Sequence, residues 1–108
     1  MIKVIFKKVS GNLVSFKITG HAFYAEHGMD IVCSGVSAIT YTIINSITDI
    51  LMLQPEVEVK EGYSWLSLEN FEEHNIKKCQ LLMETMLLGI KSMEIQYGKY
   101  ITLNMEEV

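Results

Sequence analysis

The spacing of apolar residues changes several times along the chain, and the order of these periods constrains the fold more than any other feature. Residues 2–8 and residues 13–19 each alternate apolar and polar side chains, a period of two that predicts two strands. Between them, Ser10, Gly11 and Asn12 tolerate the positive φ values of a tight turn. The chain therefore opens with a predicted β-hairpin.

The next apolar stretch has helical spacing. From about Ile31 to Met52 there is no proline, and apolar side chains recur every three or four residues, at Val32, Val36, Ile39, Ile43, Ile47 and Ile50. After Pro55, two short runs at residues 56–60 and 63–68 lie on either side of Gly62, which predicts a second hairpin.

A second helix is predicted to begin near Asn70, because Glu73 follows three residues later, as in a capping box. Apolar side chains then keep helical spacing as far as Tyr97, and Gly98 is a suitable helix end. Residues 101–105 alternate once more and predict a last strand.

The predicted order is β-β-α-β-β-α-β. Helices packed on one face of a largely antiparallel sheet are the simplest architecture for this order, so we predict an α+β two-layer sandwich with two helices. A length of 108 residues is typical of one domain, and we expect residues 1–108 to form it.

Composition excludes several classes of protein. The net charge of -4 argues against direct binding to nucleic acid, because a diffuse positive field is missing. Cys33 and Cys79 belong to no Cys-x-x-Cys pair, which favours a reducing cytoplasm. Polar residues interrupt the richest apolar stretch, so we expect no membrane span. The hydrophobic fraction of 49% is high for a small chain and indicates self-association.

The segment 20–38 contains the residues suited to chemistry. Cys33 falls in the first turn of the predicted first helix, and Asp30 is placed to cap the free amides there. The positive end of a helix lowers the pKa of a thiol, and its free amides bind an oxyanion. His21, at the end of the preceding strand, is a candidate general base for Cys33.

Spacing alone leaves other interpretations open. A cysteine near a helix start is more often a small core residue than a nucleophile. His21, His27, Asp30 and Cys33 are possible metal ligands by type, but they lack a recognised close ligand pair. His27 could replace His21 as the base, although a solvated loop histidine is the simpler interpretation. Cys79 lies on the apolar stripe of the second helix and is expected in the core or at an interface.

Three short motifs resemble the Prp family of ribosomal-processing cysteine proteases: Gly20-His21-Ala22, Asp30-Ile31-Val32-Cys33 and Val36-Ser37-Ala38. The resemblance implies a cytoplasmic endopeptidase that removes a short N-terminal extension from a large-subunit ribosomal protein. It assigns Cys33 as the nucleophile and His21 as the base, with Asp30 and Ser37 in support. It also implies a homodimer joined through helices, and no metal or cofactor.

The resemblance also implies that the loop at residues 22–29 closes over substrate. Gly28 is a possible hinge and substrate-binding residue, while Phe23 and Tyr24 either line the substrate channel or pack the loop down. The alternative from a different class is a non-catalytic dimeric binding module for a ribosomal or other basic partner, in which Cys33 is structural.

Overall fold

The computed structural model describes residues 1–26 and 30–108. Within them, the first helix, at Ile31–Asn45, continues into a π-helical turn at Ser46–Ile50. The elements follow in the order β1 (Ile2–Val9), β2 (Asn12–Thr19), α1 (Ile31–Asn45), β3 (Glu56–Lys60), β4 (Tyr63–Ser67), α2 (Glu73–Lys78), α3 (Gln80–Tyr97) and β5 (Ile101–Glu107).

The strands form one sheet in the order β3-β4-β2-β1-β5. β1 pairs antiparallel with β2 and parallel with β5, and β4 pairs antiparallel with β2 and with β3. Phe6, Phe16 and Leu66 lie side by side across three strands, and all three are buried beneath the helices. The predicted α+β two-layer sandwich is confirmed, with the β1–β5 pair as its parallel exception.

Helices α1 and α3 each bury one apolar stripe against this face of the sheet. The stripe of α1 includes Val32, Val36 and Ile43, and that of α3 includes Met83 and Ile90. Each such side chain, fully buried, contributes about 1.5–3 kcal/mol relative to an exposed one. This packing fixes the start of α1 against the sheet, and Cys33 lies in that first turn.

Two local predictions are wrong. The second helix does not begin at a capping box: Asn70 donates to the carboxylate of Glu56 instead, and α2 begins at Glu73 without a side-chain cap. The predicted second helix is also divided, because Cys79 separates α2 from α3. The spacing of Asn70 and Glu73 indicates a cap, but the Asn70 side chain is hydrogen-bonded to Glu56 on β3 instead.

The segment Ile31–Ile50 has the length and the mean hydropathy, 1.4, that a membrane span requires. The polar residues within this stretch therefore do not keep it below either criterion, contrary to the argument from the sequence. The signal is weak, because core helices of soluble proteins meet the same criteria. Here the stripe that includes Val32, Val36 and Ile43 is buried in the core.

Candidate active site

Asp30 caps α1 in the way that the sequence predicts. Its backbone is extended, and its Oδ1 accepts hydrogen bonds from the amides of Val32 at 3.0 Å and Cys33 at 3.1 Å. Its Oδ2 accepts from the amide of Tyr24 at 3.0 Å, so the same carboxylate holds the segment that follows β2. Asp30 is only 6% exposed and links the helix start to that segment.

The hydrogen bonds to Asp30 favour its charged form. Burial alone would raise the pKa of this carboxyl, but hydrogen bonds from Cys33, Tyr24 and Val32 outweigh it and hold the pKa below its ordinary value. A carboxylate therefore lies beside the thiol at the positive end of α1.

The thiol of Cys33 is half-buried, and its Sγ accepts a hydrogen bond from the amide of Ala22 at 3.3 Å. Burial raises the pKa of Cys33, the Ala22 amide partly opposes this, and the negative charge of Asp30 raises the pKa further. The prediction that the helix start lowers this pKa is wrong for this arrangement. The amides that would favour a thiolate are hydrogen-bonded to Asp30.

The hydrogen bonds from the helix amides to Asp30 also affect the predicted oxyanion site. The amides of Val32 and Cys33 donate to the side chain of Asp30, and the amide of Ser34 donates to its backbone oxygen at 3.0 Å. These donors at the start of α1 are engaged before any substrate arrives. Among the described residues, the amide of Ala22 is the donor that faces Sγ.

His21 lies two residues beyond the end of β2 and is half-buried. Gly20, just before it, has φ +89°, and a Cβ atom there would overlap the carbonyl oxygen of Met1. Within residues 1–26 and 30–108, no hydrogen bond joins the imidazole of His21 to the thiol of Cys33. The pair is therefore not engaged in this arrangement.

One cavity of about 790 Å³ is lined by both Cys33 and His21. It lies between the first turns of α1, the end of β2 and the β3–β4 turn, and its size is typical of ligand cavities. Ser37, one turn beyond Cys33, also lines it. The cavity brings together the proposed nucleophile, base and supporting serine.

Phe23 and Tyr24 have different surroundings. Phe23 lines the cavity, is 76% exposed, and its ring centroid lies 5.9 Å from that of His21. The ring of Tyr24 instead packs edge-on against Tyr97 at 6.0 Å and Tyr100 at 5.2 Å, centroid to centroid. Phe23 therefore borders the cavity, whereas the ring of Tyr24 packs on α3 and on the residue that precedes β5.

Several predictions concern residues outside the described part of the chain. Gly28 and His27 both lie there.

The described residues contain no group of three or more His, Cys, Asp or Glu side chains that could hold a metal ion. Cys79 is fully buried in the core, as predicted.

Sequence reasoning missed one wall of the cavity. It is formed by the β3–β4 turn and the strand residues beside it, from Val59 to Ser64. Trp65 and Tyr63, both on β4, are half-buried. No local signal marks this wall as part of a site, because only the pairing of β4 with β2 brings it beside His21.

Comparison with known proteins agrees with the fold. Residues 1–102 match the model of the family described as cysteine protease Prp. The ribosomal processing cysteine protease Prp of Bacillus subtilis is 34% identical over 88 residues, which are 79% of each chain.

Two solved structures are also similar. SMU.848 from Streptococcus mutans has a TM-score of 0.88 at 30% identity, covering 100% of this chain and 96% of the other. The ribosomal processing protease Prp from S. aureus, in complex with a covalently linked product peptide, has a TM-score of 0.85 at 29% identity. That match covers 98% of this chain and 100% of the other.

Proposed function

Because this chain belongs to the Prp family of cysteine proteases, we propose that it removes a short N-terminal extension from a large-subunit ribosomal protein. In this proposal Cys33 is the nucleophile and His21 is the general base. The whole chain, residues 1–108, acts as one catalytic domain in the cytoplasm, without a metal, a cofactor or direct contact with nucleic acid.

The observation that supports these roles most directly is that the thiol and the imidazole line one open cavity. Cys33 Sγ attacks the scissile carbonyl carbon, and His21 takes the thiol proton. His21 then gives that proton to the leaving amine as the C–N bond breaks. Water hydrolyses the resulting thioester, which releases the carboxylate product and restores the thiol.

The resting arrangement favours a neutral thiol, because burial and Asp30 raise the pKa of Cys33. Catalysis then requires substrate binding to bring the imidazole of His21 to the sulfur. The segment that follows His21 moves with it, and Tyr24 packing on Tyr97 and Tyr100 anchors that segment in the resting state. Gly28 remains the proposed hinge.

The amide of Ala22 is our candidate for stabilising the oxyanion. It already points at Sγ, the atom that will bond to the carbonyl carbon, whereas the helix amides are engaged by Asp30. Phe23 and Ser37 line the cavity where the peptide would lie. The net charge of -4 suits a basic N-terminal tail as substrate.

A homodimer joined through helices is part of the same proposal. Three apolar side chains on α3, spaced seven residues apart, are largely exposed: Leu81 at 79%, Leu88 at 66% and Ile95 at 88%. A second copy would cover this stripe. Sedimentation velocity should then give a dimer that Leu88→Glu converts to monomer, whereas a wild-type monomer at micromolar concentration would contradict the dimer.

Cleavage of a synthetic peptide spanning the N-terminal extension tests the catalytic roles. Cys33→Ala and His21→Ala should each lower the rate by about a thousandfold or more, because each removes a reacting group. Cys79→Ala is the matched control and should retain activity within about threefold, since its thiol lies in the core. Cleavage that survives Cys33→Ala would refute the proposal.

The non-catalytic binding module has one observation in its favour, the raised pKa of Cys33 without a hydrogen bond to His21. Membership of a family of cysteine proteases argues against it. The peptide assay separates the two, since a module would bind the peptide and leave it intact.

A further inference from the structure

The turn between β3 and β4 lies against the imidazole of His21. Thr19, at the end of β2, is paired with Tyr63, at the start of β4, so the two residues that follow β2 reach the turn that precedes β4. Gly62 lies in this turn and lines the same cavity as Cys33 and His21. Strand pairing, rather than sequence proximity, brings Gly62 to the site.

A side chain at residue 62 would meet the imidazole ring of His21. A Cβ atom built at Gly62 would lie 3.0 Å from Nε2 of His21, 3.6 Å from Cδ2 and 3.7 Å from Cε1. The first distance is tighter than ordinary van der Waals contact, so any side chain at residue 62 would displace the ring by a few tenths of an ångström. Only glycine leaves the ring where it lies.

The backbone of the same turn holds the chain that carries His21. The amide of Gly20 donates to the carbonyl oxygen of Gly62 at 3.0 Å, so the residue before His21 is hydrogen-bonded to this turn. Lys60 and Tyr63, on either side of the turn, also interact: Nζ of Lys60 lies 5.1 Å from the ring centroid of Tyr63. The turn therefore restrains both the main chain and the side chain of this segment.

In the described part of the chain, the imidazole of His21 has packing neighbours and no hydrogen-bond partner. The ring has Gly62 near its Nε2 edge, and the ring of Phe23 lies at 5.9 Å with an interplanar angle of 57°. No side-chain hydrogen bond of His21 is seen among residues 1–26 and 30–108. A displacement of a few tenths of an ångström caused by a side chain at residue 62 would therefore move the imidazole ring.

From this geometry we propose that Gly62 is a positioning residue for the general base, acting through His21 without touching the reacting atoms. The inference rests on the proposed role of His21. In addition to that role, the β3–β4 turn holds the imidazole in position. Glycine is therefore required at residue 62 for catalysis as well as for the turn.

Gly11 provides a matched control for the backbone requirement. It lies in the β1–β2 turn with φ +83°, close to the +71° of Gly62, and a Cβ atom there would have no atom within 4 Å. Alanine at either position meets the same backbone strain, because both φ values are rarely adopted by other residues. Only at Gly62 does alanine also meet the imidazole.

The test compares Gly62→Ala with Gly11→Ala in the peptide-cleavage assay. Both variants should lose a similar amount of thermal stability. We expect Gly62→Ala to lower kcat about fivefold or more and Gly11→Ala to change it less than about twofold, since small misplacements of a catalytic group are costly. In NMR spectra, the ring signals of His21, assigned with His21→Ala, should shift in Gly62→Ala and stay in place in Gly11→Ala.

A second pair keeps the test valid if alanine prevents folding. Asparagine tolerates positive φ better than alanine does, so Gly62→Asn relieves the backbone strain while keeping a Cβ atom against the ring, and Gly11→Asn is its control. Equal kcat values within each pair, with unmoved His21 signals, would overturn the role of Gly62. Cleavage that persists in His21→Ala would instead refute the proposed base, so the two failures are distinguishable.

Discussion

Cys33 and Cys79 both lie at the start of a helix, and burial raises the pKa of both thiols. Their surroundings differ in every other respect. Cys33 is half-buried, lines a cavity, accepts a hydrogen bond from Ala22 and lies beside a charged Asp30. Cys79 is fully buried among apolar side chains.

The comparison shows that a helix start alone does not make a reactive cysteine. At Cys33 the amides that would favour a thiolate are hydrogen-bonded to Asp30, and the charge of that cap opposes thiolate formation. Access to the cavity and a neighbouring imidazole distinguish the site from the core. In the proposed mechanism, activation of the thiol then depends on an arrangement that substrate induces.

The largest expected difference between the two thiols is their rate of alkylation by iodoacetamide. We expect Cys33 in the folded protein to react about a hundredfold faster than Cys79, which becomes accessible only when the chain opens. The rate at Cys33 should rise with pH to a midpoint above that of an ordinary cysteine, because its pKa is raised.

Mass spectrometry of peptides after timed labelling measures both rates in one sample, and labelling in denaturant is the control. Similar slow rates at the two thiols would remove the distinction between them. A Cys33 midpoint below the ordinary value would mean that the positive end of α1 outweighs burial and Asp30 in solution.

A smaller effect is expected from Asp30→Asn, which removes the charge while keeping a side-chain oxygen for the cap. Without the negative charge the pKa of Cys33 should fall, so the alkylation profile moves to lower pH and the rate at pH 7.5 rises about threefold. Burial, the largest cause of the raised pKa, remains in this variant. The midpoint should therefore stay above that of an ordinary cysteine.

Asp49→Asn is the matched control, because Asp49 is exposed, lies in the turn after α1 and should leave the profile unchanged. A profile that does not move in Asp30→Asn would assign the whole shift to burial. An alkylation profile that moves equally in both variants would assign the change in midpoint to the net charge of the protein.

Local sequence patterns predict much of this molecule. The two hairpins, the first helix and its Asp30 cap follow from contacts between residues only a few positions apart. The start of the second helix is the exception among the local signals, because Asn70 has Glu56, on another strand, as its partner. A capping signal fails where a distant residue competes for the side chain.

Part of the site is also predictable, because some of its residues lie close together in the sequence. His21, Asp30 and Cys33 fall in one short segment, and their residue types indicate nucleophilic chemistry. The direction of the pKa shift at Cys33 does not follow from that pattern. It depends on burial and on which groups occupy the helix amides, and both are properties of the packed structure.

The sequence by itself determined which segments are strands or helices, and placed a thiol and a carboxylate at one helix start, since periodicity and capping act over short separations. Only the tertiary structure decided that the turn at Gly62 lies against His21. That contact arises from the register of β2 with β4, and pairing between strands distant in sequence is set by burial of the shared apolar face.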